Sequence, residues 1–155
     1  MLERTAYLAF AFALLTLGIW PQGVSTAHEG ATGVVKERME AMKGMEERMK
    51  AMAAMLKGER QWNLPYIESS ARQIAKHAND LPRLFPTGSD GHPSEALPSI
   101  WQEKQRFEQL AKELSGKAMK LAALSKATPQ AELIPPFSAV AKTCKACHGD
   151  FRKKK

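Results

Sequence analysis

The chain has two cysteines, three residues apart near its C-terminus, and they lead straight into a histidine: Cys144-Lys145-Ala146-Cys147-His148. That spacing is the attachment signature of a c-type haem. Each thiol can form a thioether to a haem vinyl group, and the imidazole that follows can reach the iron as proximal ligand. Three residues are just under one helical turn, so on a helix both thiols share a face that a flat macrocycle can bridge. A C-x-x-C pair also suits a redox disulfide or half of a zinc site. The zinc reading lacks a second C-x-x-C or a downstream histidine pair, and nothing near the motif reads as a thioredoxin-like βαβ unit. Haem attachment is therefore the reading that organises the rest of the chain.

The other end supplies the compartment. Glu3 and Arg4 precede an apolar run from Leu8 to Trp20, then come Pro21 and Ser25-Thr26-Ala27. These are the charged, apolar and small-residue regions of a secretory signal. A membrane span needs about 20 apolar residues, and this run is shorter and ends at a proline. Cleavage after Ala27 is expected, leaving residues 28–155 as one domain that begins at His28. Export suits the motif, since bacteria attach c-type haem outside the cytoplasm. Glu3 and Arg4 leave together, so the formal charge stays at +7. The lysines are spread along polar helix faces, which argues against nucleic acid as a partner. Lys153, Lys154 and Lys155 suit docking to acidic redox partners but read first as a solvated tail.

Beyond the signal the pattern is helical throughout, with no strand alternation. A first helix is expected over Thr32 to Lys57, before Gly58. Val35, Met42, Met49 and Leu56 recur every seven residues, with Met45 and Met52 between them. A second helix starts near Asn63, a good cap, with Pro65 in its first turn; Ile67, Ala71, Ile74, Ala78 and Leu81 face inward. Prolines and glycines make Pro82 to Pro98 a long loop. A third helix follows over Pro98 to Lys126, carried by Ile100, Phe107, Leu114 and Leu121. A proline in a helix interior costs ~3 kcal/mol, so the fourth helix begins near Pro135, with Ala131 to Ile134 as a short turn. Its inner face is Phe137, Val140, Ala141, Cys144, His148 and Phe151. Four amphipathic helices make an all-α, antiparallel four-helix bundle the natural architecture, with the haem beside the C-terminal helix.

The first helix holds Met39, Met42, Met45, Met49, Met52 and Met55, most of which read as adaptable core filler. Arg38 changes the weighting for Met42. It takes an inward position one turn earlier, and a buried guanidinium without a partner costs several kcal/mol. Arg38 must therefore reach solvent from the helix end or meet an anion. A haem propionate is a suitable anion. If Arg38 grips it, Met42 lies over the macrocycle, where its thioether can reach the iron.

Several segments resemble the cytochrome c prime family (class II cytochromes c), and within it the low-spin, His/Met-ligated branch. They are Arg38 to Met42 as R-x-x-x-M, Asp80-Leu81-Pro82-Arg83-Leu84-Phe85-Pro86 closing the second helix, Ile100-Trp101 opening the third, and Cys144 to Arg152 as C-x-x-C-H-x-x-F-R. The resemblance implies a four-helix bundle with one haem c fixed covalently to the fourth helix by Cys144 and Cys147. It further implies His148 as proximal iron ligand, Met42 as sixth ligand and Arg38 as propionate partner. In high-spin members the distal residue does not bind iron and leaves a pocket for small gases.

Two functions follow. The expected one is a periplasmic electron carrier, since two axial ligands keep the iron six-coordinate and thioether ligation raises the potential. The other is a high-spin protein that takes nitric oxide or carbon monoxide at an open sixth position. A third, periplasmic copper binding, would use the thioethers for Cu(I), but the methionine spacing follows the helix stripe. No acid–base pair or nucleophile constellation suggests an enzyme. His77 and His92 read as surface residues, while Trp101 and Phe85 either pack against the porphyrin or fill the core, the core being favoured. Expected partners are periplasmic redox proteins and, as is common in the family, a second copy paired through the first two helices. No membrane contact is expected after signal cleavage.

Overall fold

In the computed structural model, residues 30–126 and 129–154 are described. The expected signal segment, its cleavage site, His28 and Lys155 lie outside them. Helix α1 (Gly33–Leu56) follows Thr32, whose backbone is extended. It stops at Gly58, which takes φ +77°, a left-handed value that glycine adopts without a Cβ clash. There the amide of Gly58 bonds the Met55 carbonyl at 3.1 Å and that of Glu59 the Ala54 carbonyl at 2.9 Å. This pair of reversed bonds satisfies carbonyls that the helix end leaves open. Gln130 adds its side-chain amide to the Met55 and Leu56 carbonyls, both at 3.2 Å.

Helix α2 (Leu64–Asp80) starts as expected: the Asn63 side chain accepts from the Tyr66 amide at 2.9 Å, and Pro65 sits in the first turn. A 3-10 turn, Leu81–Leu84, carries the chain into the loop. The expected third helix is broken. Ser99–Gln102 form a short α3, and Lys104–Leu124 form α4. Glu103 between them takes φ −113° and ψ 42°, outside the helical region. Tertiary bonds fix the first turn on its own axis: the Ser99 hydroxyl donates to the Asp150 carbonyl at 3.0 Å, and the Trp101 indole N–H to the Phe85 carbonyl at 3.0 Å. A 3-10 turn, Gln130–Leu133, leads into α5 (Ile134–Phe151), where the paired prolines fall in the first turn.

The four long helices form the bundle. Small residues line the facing sides of α2 (Ser70, Ala71, Ala75, Ala78) and α4 (Ala111, Ser115, Ala118, Ala122), all buried. Without bulk between them the two axes come close, and these helices pack most intimately. On its other side α4 packs against α5, whereas α1 leans mainly on α2. The methionine stripe is rotated from the heptad reading. Met45, Met52 and Met55 are buried, while Val35, Met42, Met49 and Leu56 are half-buried at its margin. On α5, Val140, Thr143 and Phe151 are the buried positions. Thr143 faces inward because its hydroxyl has partners, donating to the Ala139 carbonyl and accepting from Lys117 Nζ at 2.8 Å.

Candidate haem site

Cys144 and Cys147 are free, half-buried thiols on α5 that pack at the edge of the core. Burial raises the Cys144 pKa above that of a free thiol. Burial, then the charges of Cys144 and Asp150, pushes Cys147 up to about 11. Both sulfurs are therefore neutral at physiological pH. A redox pair works through a thiolate, which this burial disfavours, whereas a thioether carries no charge. Among the described residues no group of three or more His, Cys, Asp or Glu could hold a metal ion, so the zinc alternative gains no partner.

His148 lies one residue further along α5 at the surface, yet its imidazole pKa is lowered. Burial of the ring against protein is the main cause, then the Arg152 charge, with Glu95 and Glu46 opposing. A neutral imidazole is the form that binds a metal.

Arg38 is 5% exposed, the most deeply buried charge described. Its Nη2 donates to the Ser89 carbonyl at 2.7 Å, and its guanidinium carbon stands 4.2 Å from the centroid of the Phe85 ring. Its Nε and Nη1 are buried with no hydrogen-bond partner. Desolvation lowers its pKa. Of the two courses open to Arg38, reaching solvent is thus excluded. Two orphaned N–H donors on a buried cation match an anionic oxygen ligand, as a haem propionate would present. The residues present fit a haem: two neutral thiols at haem spacing, a neutral imidazole, a buried cation lacking an anion, and a thioether one turn beyond it.

The family model described as Cytochrome C' matches residues 33–152. The chain belongs to the cytochrome c' family. Its members carry covalent c-type haem, so this is a haem protein of that family. A cytochrome c' from Rhodopseudomonas palustris is 38% identical over 125 residues, covering 80% of this chain and 84% of that protein. A cytochrome c-556 from Agrobacterium tumefaciens (strain II Chrys) is 32% identical over 123 residues, covering 79% and 99%. A solved nitric oxide complex of a cytochrome c prime variant from Alcaligenes xylosoxidans superposes with a TM-score of 0.71 at 28% identity, covering 79% and 94%. The expected placement in a low-spin, His/Met-ligated branch gains no support, because relatives named cytochrome c' stand beside those named c-556. R-x-x-x-M is too short a pattern to separate the two.

Other expectations shift in detail. Phe85 is half-buried and serves as the platform under Arg38, rather than as core filling alone. Trp101, also half-buried, pins the Phe85 carbonyl. His92 is exposed as expected, whereas His77 is half-buried on α2. Lys153 is no free tail residue: its Nζ donates to the Ser94 carbonyl at 3.1 Å and its amide to the Glu95 carbonyl at 2.8 Å. Ser89 and Glu95 had no signal in the sequence. One contributes a backbone carbonyl, which every residue has, and the other a loop carboxylate.

Proposed function

We propose that this cytochrome c' family member is an exported, periplasmic haem protein whose sixth iron position takes nitric oxide or carbon monoxide. When bound, a single haem c would supply a one-electron iron couple and a site for a diatomic ligand. Cys144 and Cys147 would hold it through thioethers, and His148 would ligate its iron. Arg38 offers Nε–H and Nη1–H to a propionate, its remaining polar contact already made with Ser89. Met42, half-buried one turn beyond Arg38, would border the open position. The carrying observation is the likeness to proteins named cytochrome c', which extends over most of the chain. In this role the protein binds and releases its ligand and is not an enzyme.

A second reading, an electron carrier serving periplasmic redox proteins, has two observations in its favour. Met42 lies one turn beyond the buried Arg38, on the margin of α1 rather than in the core, and some relatives are named c-556. In that case the Met42 sulfur is the sixth ligand and leaves no room for a gas. The two readings separate in the absorption spectrum of purified holoprotein. The gas-binding reading predicts a high-spin ferric spectrum and rapid carbon monoxide uptake on reduction, both retained in Met42→Ala. A low-spin spectrum with a methionine-to-iron charge-transfer band, converted to high spin by Met42→Ala, establishes the carrier instead. Pairing of two copies through α1 and α2 belongs to the same proposal and is read by analytical ultracentrifugation with and without carbon monoxide.

A further inference from the structure

The segment between the 3-10 turn and α3 grips two separate parts of the molecule. At its start, the Phe85 ring lies under the Arg38 guanidinium, and the Ser89 carbonyl takes one of that group's N–H donors. At its end it runs antiparallel to the chain leaving α5. The Leu97 amide donates to the Phe151 carbonyl at 3.0 Å, the Lys153 amide to the Glu95 carbonyl at 2.8 Å, and Ala96 faces Arg152 in an isolated bridge. Arg152 Nε and Nη2 both reach Glu95 Oε2, at 2.7 and 2.6 Å. Just beyond, the Ser99 hydroxyl holds the Asp150 carbonyl.

The two gripped ends belong to α1 and α5, and α1 is not among the helices packed closely on α5. Apart from the packing through α2 and α4 and the Gln130 bonds at the far end of α1, their relative placement depends on what spans them. The Trp101 indole fixes Phe85 at the first end. Beneath the segment runs a row of rings: Phe85 meets Phe107 edge-on at 4.8 Å between centroids, and Phe107 meets Phe151 edge-on at 5.5 Å. Edge-to-face pairs resist sliding, because the ring quadrupoles favour that geometry over its neighbours. Backbone pairing above and packed rings below thus connect Arg38 to the last turn of α5 twice over.

We propose that residues 85–99 act as a two-ended clasp that sets where Arg38 stands relative to the haem-bearing turn of α5, with Glu95 as its positioning residue. Glu95 is salt-bridged to Arg152, and its charge also raises the His148 pKa. It acts through Arg152, by a charge-assisted pair that closes the α5 end of the clasp. The inference rests on the haem reading above for its functional meaning, while the coupling between the two ends is a property of the polypeptide.

The test is Glu95→Gln in the exported holoprotein, followed by hydrogen-exchange mass spectrometry and by the reduction potential. Opening the ion pair is expected to speed amide exchange roughly five-fold at 150–153 and, at the far end, at 85–90 and in the α1 turn from Arg38 to Met42. Amides of α2 stay unchanged. The potential shifts, and in a double variant with Arg38→Gln the two shifts fall short of their sum, because Glu95 works through the placement of Arg38. Glu95→Asp, which keeps the charge, lies between wild type and Glu95→Gln and replaces it if the latter fails to fold. Faster exchange confined to 94–99 and 150–153, or additive shifts in potential, overturns the clasp. Coupled exchange in a chain that carries no haem keeps the clasp and overturns the haem reading alone.

Discussion

At the scale of single residues, the decisive feature is a cation buried without its anion. Taking a guanidinium out of water costs several kcal/mol unless its donors are met, and Arg38 has one of its donors met, by Ser89. Arg38→Gln tests the role directly. If Nε–H and Nη1–H meet a propionate, the variant loses about 1–3 kcal/mol of holoprotein stability and its reduction potential falls, because a positive charge beside the haem favours the ferrous form. Denaturant titration with a potentiometric titration reads both. A gain in stability would mean that Arg38 is an uncompensated buried charge, as replacing such a cation relieves its desolvation. The proximal candidates could be named from the sequence because C-x-x-C-H is local. The Arg38 environment was legible only in part: its inward position follows from periodicity, but Ser89 lies 51 residues away and contributes a carbonyl.

At the scale of the elements, termini were read more accurately than continuity. Asn63 and Pro65 mark the start of α2 because their chemistry acts within one turn. Asn63→Ala is expected to cost about 1 kcal/mol, measured as a shift of the urea midpoint at constant m; an unchanged midpoint would remove the cap from the account. The break at Glu103 was not legible, since no Gly or Pro marks it and the bonds that impose it come from Phe85 and Asp150. Nor was the rotation of the methionine stripe, because a heptad drifts relative to a straight helix and packing decides the centre. A charge pair ties α1 to the 3-10 turn: Arg83 donates to the Glu37 carboxylate, holding its pKa below the ordinary 4.5. A carboxyl depressed by folding contributes above its unfolded pKa, and the contribution is lost as pH falls through the folded value. Arg83→Gln should therefore return the Glu37 pKa towards 4.5, followed by NMR titration. A pKa that stays depressed would assign the effect to another cause. Both side chains are exposed, so the effect on stability is small.

At the scale of the whole molecule, an Ala- and Ser-faced pair, α2 and α4, forms the tight half of the bundle, with α1 and α5 on its flanks. The residues assigned to the haem lie on those flanking helices, Arg38 and Met42 on one and Cys144, Cys147 and His148 on the other. The bundle itself was legible because long periodic segments with short connections admit few arrangements. How its two sides are joined was not, since the join is made by an irregular segment and by aromatic edges. The most direct test is mass spectrometry of the chain exported from a host that matures c-type cytochromes, taken intact under denaturing conditions and again after proteolysis. The expected result is one haem that stays with the unfolded chain and maps to the peptide containing Cys144 to His148. A chain that leaves the membrane machinery with both thiols free, or whose pigment is extracted on unfolding, would contradict the account at its base.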